Sequence, residues 1–197
     1  MNAGQSLDRA RIEQAFRIMG QYLLDRKVFG EIAIYGGSAI LFQFDWRKTS
    51  QDVDARIISD SSHGLVIEAV REAAKQLGLR QSWLSESVSV YARSGEQIAD
   101  RVFIGVYPTP ERFGLRVSAA KPPYILAMKL KALERTTVDD RDYQDAIDLG
   151  LECGTGTVDE LHAVFCKFFS DQELSPAAEL RIKELALDIQ ARSPTKG

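Results

Sequence analysis

The Pro122–Pro123 pair marks a change in the hydrophobic periodicity of the chain. Before it, short apolar segments typical of strands are interspersed with amphipathic helical segments. After it, apolar residues recur only at helical spacing, and a proline pair suits the start of a helix. The sequence therefore predicts an α+β fold, with a mixed β-sheet flanked by helices and followed by a helical bundle. We assign residues 1–120 to an α/β domain with an N-terminal helix and residues 121–193 to a helical domain.

The same patterns predict the individual elements. The first helix is expected to start at Ser6, a suitable N-cap, and the third to end at Gly78. We expect helices over 6–27, 38–44, 62–78, 124–135, 139–151, 158–170 and 176–191. We expect strands over 31–35, 51–57, 87–93, 101–107 and 115–119.

Composition limits the classes of function. The net charge of −3 over 197 residues gives no overall basic field for nucleic acid. Cys153 and Cys166 form no CxxC motif and the two histidines are isolated, which argues against a zinc site. We expect both cysteines to be buried, reduced thiols. The first residues are polar and amphipathic without the apolar h-region of a signal peptide, and no apolar run approaches the ~20 residues of a membrane span, so we expect a cytoplasmic protein without membrane association.

The first candidate for chemistry is the Gly-Gly-Ser string at Gly36, Gly37 and Ser38, which follows an apolar run. A strand that ends in glycines and opens into a helix presents backbone N–H groups at the helix N-terminus, where the helix dipole favours an anion. Glycine also lets a phosphate approach closely, since it has no Cβ. The simpler interpretation is that the glycines only mark a turn.

The second candidate is the pair Asp52 and Asp54. On a strand, residues two apart face the same side, so the two carboxylates would repel each other unless a cation offset the cost. A hard divalent ion with oxygen ligands meets that need, and it can also bind triphosphate oxygens. The alternative is a solvated edge strand with two exposed acids.

The order of these motifs resembles the nucleotidyltransferases of the DNA polymerase β-like superfamily, whose signature is Gly-Gly-Ser/Thr followed by Asp-x-Asp. The string "KTSQDVD" is similar to the Arg-x-Ser/Thr-x-Asp-hydrophobic-Asp string of the AbiEii-like toxin group. Lys48 stands in place of the arginine, and Ser50 is the hydroxyl residue.

A second signature of that group, a lysine on one helix followed by an arginine and an Arg/Lys-Asp-x-x-Asp string on the next, resembles residues 124–149. Lys129, Arg135, Asp142 and Asp145 match it. The segment "QSWLSESV" is also similar to a Trp-Leu-Asn segment of some of these proteins. The resemblance covers about residues 31–150 in the right order.

The resemblance implies a Mg²⁺-dependent enzyme that transfers a nucleotide from an NTP to an RNA or protein acceptor, as a toxin-like component with a cognate antitoxin. It implies that magnesium binds to Asp52 and Asp54. The nucleotide-binding residues would be Gly36, Gly37, Ser38, Lys48 and Ser50. The catalytic residues would be Asp52, Asp54, Lys129, Asp142 and Asp145.

The chain departs from the family in one respect. Polymerase β-like enzymes usually carry a third carboxylate on a neighbouring strand, whereas Glu86, Glu96 and Asp100 lie only at the edges of the expected strands or between them. A catalytically silent binding or interaction module on the same fold is therefore the main alternative. A third interpretation is an unrelated α/β domain with a chance motif.

Overall fold

The computed structural model describes residues 6–87, 98–137 and 139–193. Within these residues the protein is α+β, with a mixed five-stranded sheet, a two-stranded sheet and seven α-helices, so the predicted fold class is confirmed at this level. Residues 6–87 and 98–120 belong to one compact unit, and residues 121–137 and 139–193 belong to a second. None of the helices in the described ranges is both long and apolar enough to cross a bilayer.

The first unit contains three helices and seven strands within its described part. The helices are α1 (Arg9–Asp25), α2 (Gly36–Gln43) and α3 (His63–Leu77). The strands are β1 (Leu7–Asp8), β2 (Gly30–Ile34), β3 (Thr49–Ser50), β4 (Val53–Ile57), β5 (Leu84–Ser85), β6 (Arg101–Pro108) and β7 (Phe113–Ala120).

The strand order of the larger sheet is β5-β4-β2-β7-β6. Strand β2 pairs antiparallel with β4 and parallel with β7, β4 pairs parallel with β5, and β6 and β7 are antiparallel. Because β2 is the central strand, its residues Ile32, Ala33 and Ile34 are fully buried. Because β2 and β4 run in opposite directions, the end of β2, where α2 begins, lies beside the start of β4.

Helix α1 packs on β6 and β7 and against α3. Phe16, fully buried, contacts Phe42, Trp83 and Tyr107, with ring centroids 6.0, 6.4 and 5.5 Å away. Gly20 allows the close approach of α1 to the sheet, since a Cβ there would lie 2.2 Å from the Tyr107 carbonyl oxygen. The core thus joins α1, α2 and the sheet around one aromatic cluster.

The start of α1 differs from the sequence prediction, whereas the end of α3 agrees with it. Helix α1 begins at Arg9 and is capped by Asp8, whose carboxylate accepts a hydrogen bond from the Arg11 amide at 2.8 Å. Ser6 is therefore not the cap, because Leu7 and the residue after it pair with β3 in extended conformation. The predicted end of α3 is confirmed: Gly78 adopts the left-handed conformation at φ +62° and closes the last turn.

The second unit contains four helices within its described part: α4 (Pro122–Ala132), α5 (Asp140–Cys153), α6 (Val158–Phe168) and α7 (Pro176–Arg192). Helix α4 packs against the other three. In its core the Tyr124 ring stacks on Phe168 with centroids 4.9 Å apart. Arg181 on α7 donates hydrogen bonds to the carbonyl oxygens of Leu133 and Arg135, which ties down the connection between α4 and α5.

Two further predictions concern the strand over 87–93 and the burial of the two cysteines. The strand expected over 87–93 lies outside the described residues beyond Ser87. The cysteines are free, but neither is fully buried: Cys153 is half-buried and Cys166 is exposed. The prediction failed for Cys166 because α6 turns Leu161, Phe165 and Phe168 inward, which leaves residue 166 on the outer face.

Candidate functional site

The helix start at Gly36 and Gly37 is built as a tight junction between β2 and α2. Tyr35 is extended and precedes the helix without a side-chain cap, and Gly36 has a φ of +56°. Both glycines lie in the first turn, so the helix begins two residues earlier than predicted. The first amides of a helix have no acceptor within it, and here they include those of Gly36 and Gly37.

Asp54 lies against this helix start. The Tyr35 amide donates a hydrogen bond to the Asp54 carbonyl at 2.9 Å, which fixes the end of β2 to β4. A Cβ on Gly36 would lie 2.9 Å from Asp54 Oδ2, closer than any side chain tolerates. Glycine at position 36 thus serves two needs: the positive φ and the close approach of a carboxylate. The structure thus places Asp54 of the Asp-x-Asp string beside the first glycine of the Gly-Gly-Ser string.

Asp52 does not lie on the strand as predicted, because β4 begins at Val53. Along the strand Val53, Ala55 and Ile57 are buried, whereas Asp54 is half-buried on the other side. Asp52 is also half-buried. Because Asp52 precedes the strand, the alternation of side chains along β4 determines the direction of Asp54 but not that of Asp52.

The serines predicted to bind nucleotide have defined contacts. Ser38 is 1% exposed, and its hydroxyl donates a hydrogen bond to the Tyr35 carbonyl at 2.9 Å. Ser50 is buried, with Oγ 2.9 Å from the position a Cβ on Gly37 would take. Both therefore support the junction between β2, α2 and β3. Their contact with a nucleotide stays a prediction.

Arg47, which the sequence prediction passed over in favour of Lys48, lies at the same helix start. Its Nη2 atom is 3.0 Å from the Cβ position of Gly37, and its Nε donates a hydrogen bond to the Thr49 carbonyl at 2.9 Å. Lys48 is exposed, whereas Arg47 is half-buried. The family string pointed to Lys48, but the path of the chain from α2 to β3 decides which of the two side chains turns inward.

Two further serines lie on the Asp54 side of the sheet. Asp54 pairs with Ser85 in the parallel register of β4 and β5. The Ser87 hydroxyl donates to Asp54 Oδ1 at 3.4 Å and accepts a hydrogen bond from the Ser85 hydroxyl at 2.9 Å. The alternation Ser-Glu-Ser in "LSESV" indicates that the two serines share one face of the chain. The strand register that brings this face to Asp54 cannot be read from the sequence.

Glu86 lies between these serines, and its carboxylate engages other groups. It accepts a hydrogen bond from the Ile57 amide at 3.4 Å, and its Oε2 is 3.0 Å from His63 Nε2. Among the described residues, no three His, Cys, Asp or Glu side chains form a group that could hold a metal ion. A magnesium ion commonly uses one or two protein carboxylates and takes its other ligands from water and substrate phosphates. The donor set of Asp52 and Asp54 fits that pattern.

The three predicted catalytic residues of the second unit form one ionic cluster. Lys129 Nζ donates to Asp142 Oδ1 at 2.5 Å and to Asp145 Oδ2 at 2.9 Å, and Arg135 donates to Asp142 Oδ2 at 3.2 Å. Lys129 is 9% exposed and Asp145 is 1% exposed. Two cations and two carboxylates thus meet between α4 and α5. The arrangement can lock the helices together, and the expected catalytic role stays a prediction.

Comparisons with protein-family models, with curated proteins and with solved structures each give no match.

Proposed function

We propose that the protein is a magnesium-dependent nucleotidyltransferase that transfers a nucleotide from an NTP to an RNA or protein acceptor, as a toxin-like component held in check by an antitoxin. The observation that carries the proposal is the contact of Asp54 with Gly36 at the start of α2. A carboxylate for a cation and backbone amides for an anion meet at one point, and a metal-bound triphosphate needs both.

The proposed reaction joins an acceptor oxygen to the α-phosphorus of the NTP. The bond from that phosphorus to the oxygen bridging the α- and β-phosphates breaks, pyrophosphate leaves with the bonding electron pair, and the proton of the acceptor hydroxyl passes to solvent. Bound magnesium would supply positive charge against the phosphate oxygens. The protein's own part is positional: Asp52 and Asp54 hold the metal side, and the first turn of α2 holds phosphate.

The test is transfer of label from each of four α-³²P-labelled NTPs, with magnesium, to total RNA, to a tRNA pool and to the protein itself. The Asp52→Asn and Asp54→Asn variants are expected to lose on the order of 100-fold or more in rate, because each removes charge from the metal side. Asp45→Asn is the matched control, since Asp45 is exposed in the turn after α2. Equal rates in Asp54→Asn and wild type would contradict the proposal.

A second candidate is a catalytically silent nucleotide-binding module on the same fold. It is favoured by the lack of a three-carboxylate group among the described residues, and by the mutual pairing of Lys129, Asp142 and Asp145. Calorimetry with magnesium and each NTP separates the candidates. Binding without transfer to any acceptor supports the silent module, and transfer rules it out. Absence of both binding and transfer rules out both candidates.

A further inference from the structure

The sheet of the first unit has α1 and α3 on one face, and Gly30 shows which side chains point the other way. A Cβ on Gly30 would lie 2.8 Å from Val66 of α3 and 3.0 Å from Leu23 of α1. Successive residues of a strand point to opposite faces, so Glu31 points away from both helices. We call the side of the sheet opposite α1 and α3 the distal face.

Strand register extends the distal face to the edge strand β6. Arg116 on β7 pairs with Glu31, and Arg116 Nε lies 4.0 Å from Glu31 Oε1. Two residues further along β7, Ser118 pairs with Phe103 on β6. The Arg116 guanidinium lies 5.6 Å from the centroid of the Phe103 ring. The side chain of Arg116 is 49% exposed and Phe103 is 56% exposed, so a cation and an aromatic ring are presented to solvent together.

The proposed metal carboxylate lies on the same face. In β2, Ala33 is two residues from Glu31, and it pairs with Arg56 of β4. Asp54, two residues before Arg56, therefore also points to the distal face. Across the sheet, three strand spacings of about 4.8 Å separate Phe103 from Asp54, a distance of about 15 Å. A flexible ligand that contacts Phe103 can thus reach Asp54 along one side of the sheet.

The charge of the distal face favours a polyanion. Three arginines point to it by the alternation of side chains along the strands: Arg56, Arg101 and Arg116. They face two acids, Glu31 and Asp54, and the proposed magnesium would offset the charge of Asp54. The net charge of the whole chain is −3, so the excess of positive charge here is local. Arg56 and Arg101 have further partners within the protein, and only Arg116 is assigned to the ligand.

We propose that the distal face around Phe103 and Arg116 binds single-stranded RNA, which serves as the acceptor. The proposal rests on the proposed function and deepens it by choosing RNA over a protein as the acceptor. A base stacks on the Phe103 ring, and Arg116 contacts the adjoining phosphate. Sheet surfaces with exposed aromatic residues bind single strands in this way, because every base offers a π-face and every linkage carries a negative charge.

The test is fluorescence anisotropy of a short, labelled single-stranded RNA with the full chain, in EDTA and without NTP, from about 50 to 200 mM salt. Phe103→Ala is expected to weaken binding about fivefold or more, the loss for one stacked base, and to leave the salt dependence unchanged. Phe103→Trp should keep the affinity, whereas Phe103→Leu, which is apolar without a ring, should lose it. Arg116→Ala should reduce the slope of log K against log salt by about 0.7, because one phosphate contact is lost.

Two exposed side chains away from the sheet provide matched controls. Leu187 on α7 is 66% exposed, and Arg71 is exposed on α3. Neither Leu187→Ala nor Arg71→Ala should reproduce the change in affinity or in slope. Circular dichroism checks the fold of each variant, and if Phe103→Ala fails to fold, Phe103→Leu and Arg116→Ala carry the test.

The outcomes separate this inference from the proposed function. Wild type that binds no RNA overturns the inference even if label is transferred from an NTP, and the acceptor is then a protein. RNA binding that keeps its affinity and slope in Phe103→Ala, Phe103→Leu and Arg116→Ala places the RNA elsewhere and also overturns it. RNA binding that these variants weaken, without transfer from any NTP, supports the distal face as the RNA surface and contradicts the proposed function instead.

Discussion

The two units place charged side chains in different surroundings. In the helical unit, Lys129 is surrounded by carboxylates at 2.5 and 2.9 Å, and both it and Asp145 are buried. In the sheet-containing unit, Asp54 and Arg47 are half-buried, and each lies against a glycine at the start of α2. The first group is a buried ionic cluster between two helices, whereas the second lies beside the two glycines that open α2.

Burial decides what removal of a charged side chain costs. A buried ion pair has already given up its water, so removing one partner leaves an uncompensated charge. Side chains that remain half-exposed keep part of their hydration and can exchange it for a ligand. We therefore expect Lys129, Asp142 and Asp145 to serve chiefly the stability of the second unit. The proposed nucleotide binding would then use residues of the first unit.

The largest expected effect is that of Lys129→Ala. Removal of the ammonium leaves Asp145 buried without its 2.9 Å partner, and the free energy of unfolding is expected to fall by about 3–5 kcal/mol. Urea unfolding measures it. Lys183→Ala, at an exposed position of α7, is the control and should change stability by less than about 0.5 kcal/mol.

Neutralising Lys129, Asp142 and Asp145 together tests whether the instability of Lys129→Ala comes from an uncompensated buried charge. Lys129→Met combined with Asp142→Asn and Asp145→Asn removes charge without stranding any of these three groups, so it should be more stable than Lys129→Ala. The assignment of Lys129 to stability would be wrong if Lys129→Ala had the wild-type free energy of unfolding but no longer bound NTP. That result would make Lys129 a ligand-binding residue, as the family resemblance implies.

The sequence predicted the coarse fold well because periodicity reports burial directly. The change at Pro122–Pro123 separated the strand-containing part from the helical part, and Gly78 ended α3 as expected. Boundaries were less predictable where tertiary contacts set them. Asp8 replaced Ser6 as the cap because β1 pairs with β3, a contact between segments some forty residues apart.

The candidate site was predictable only in part. The Gly-Gly and Asp-x-Asp strings could be read from the sequence, and antiparallel pairing of β2 with β4 brings Gly36 to Asp54. The choice of Arg47 over Lys48 and the presence of Ser87 beside Asp54 depend on loop path and strand register. Neither leaves a periodic signal, because one residue of shift exchanges the inward and outward side chains.

A smaller effect is expected from Gly36→Ala. The left-handed φ of +56° costs an alanine about 1–2 kcal/mol, and the new methyl group would displace the Asp54 carboxylate, 2.9 Å away. Stability should fall by that amount and magnesium–NTP binding should weaken with it. Gly64→Ala is the control, since Gly64 lies in α3 with no neighbour within 4 Å, and there alanine should stabilise the protein by about 0.5–1 kcal/mol. If Gly36→Ala binds NTP like wild type, the junction between Gly36 and Asp54 is not the binding site.

The smallest effect concerns one tyrosine in each unit. Burial raises the pKa of Tyr107 in the first unit to about 12, with Glu13 adding to the shift. Burial also raises the pKa of Tyr143 in the second, and there the hydroxyl donates a 2.9 Å hydrogen bond to Asp188. Tyr107 is thus shifted by burial with a distant carboxylate, whereas the Tyr143 hydroxyl is also hydrogen-bonded to one.

The folded protein holds the Tyr107 proton more tightly than the unfolded chain, whose tyrosine pKa is about 10. The contribution of this group is therefore complete below about pH 10 and is lost as pH rises towards 12. Between pH 9 and 11 the loss of this contribution should lower the free energy of unfolding by about 1 kcal/mol. Tyr107→Phe should abolish this part of the dependence of the free energy of unfolding on pH. Urea unfolding at pH 9, 10 and 11, with a reductant present, measures it. Because phenylalanine keeps the ring contact with Phe16, stability at pH 8 should change little, whereas Tyr143→Phe also loses its bond to Asp188 and should cost stability at pH 8 as well. An unchanged alkaline slope in Tyr107→Phe would mean that the hydroxyl meets water in the folded state, and the aromatic cluster around Phe16 would then be open on that side.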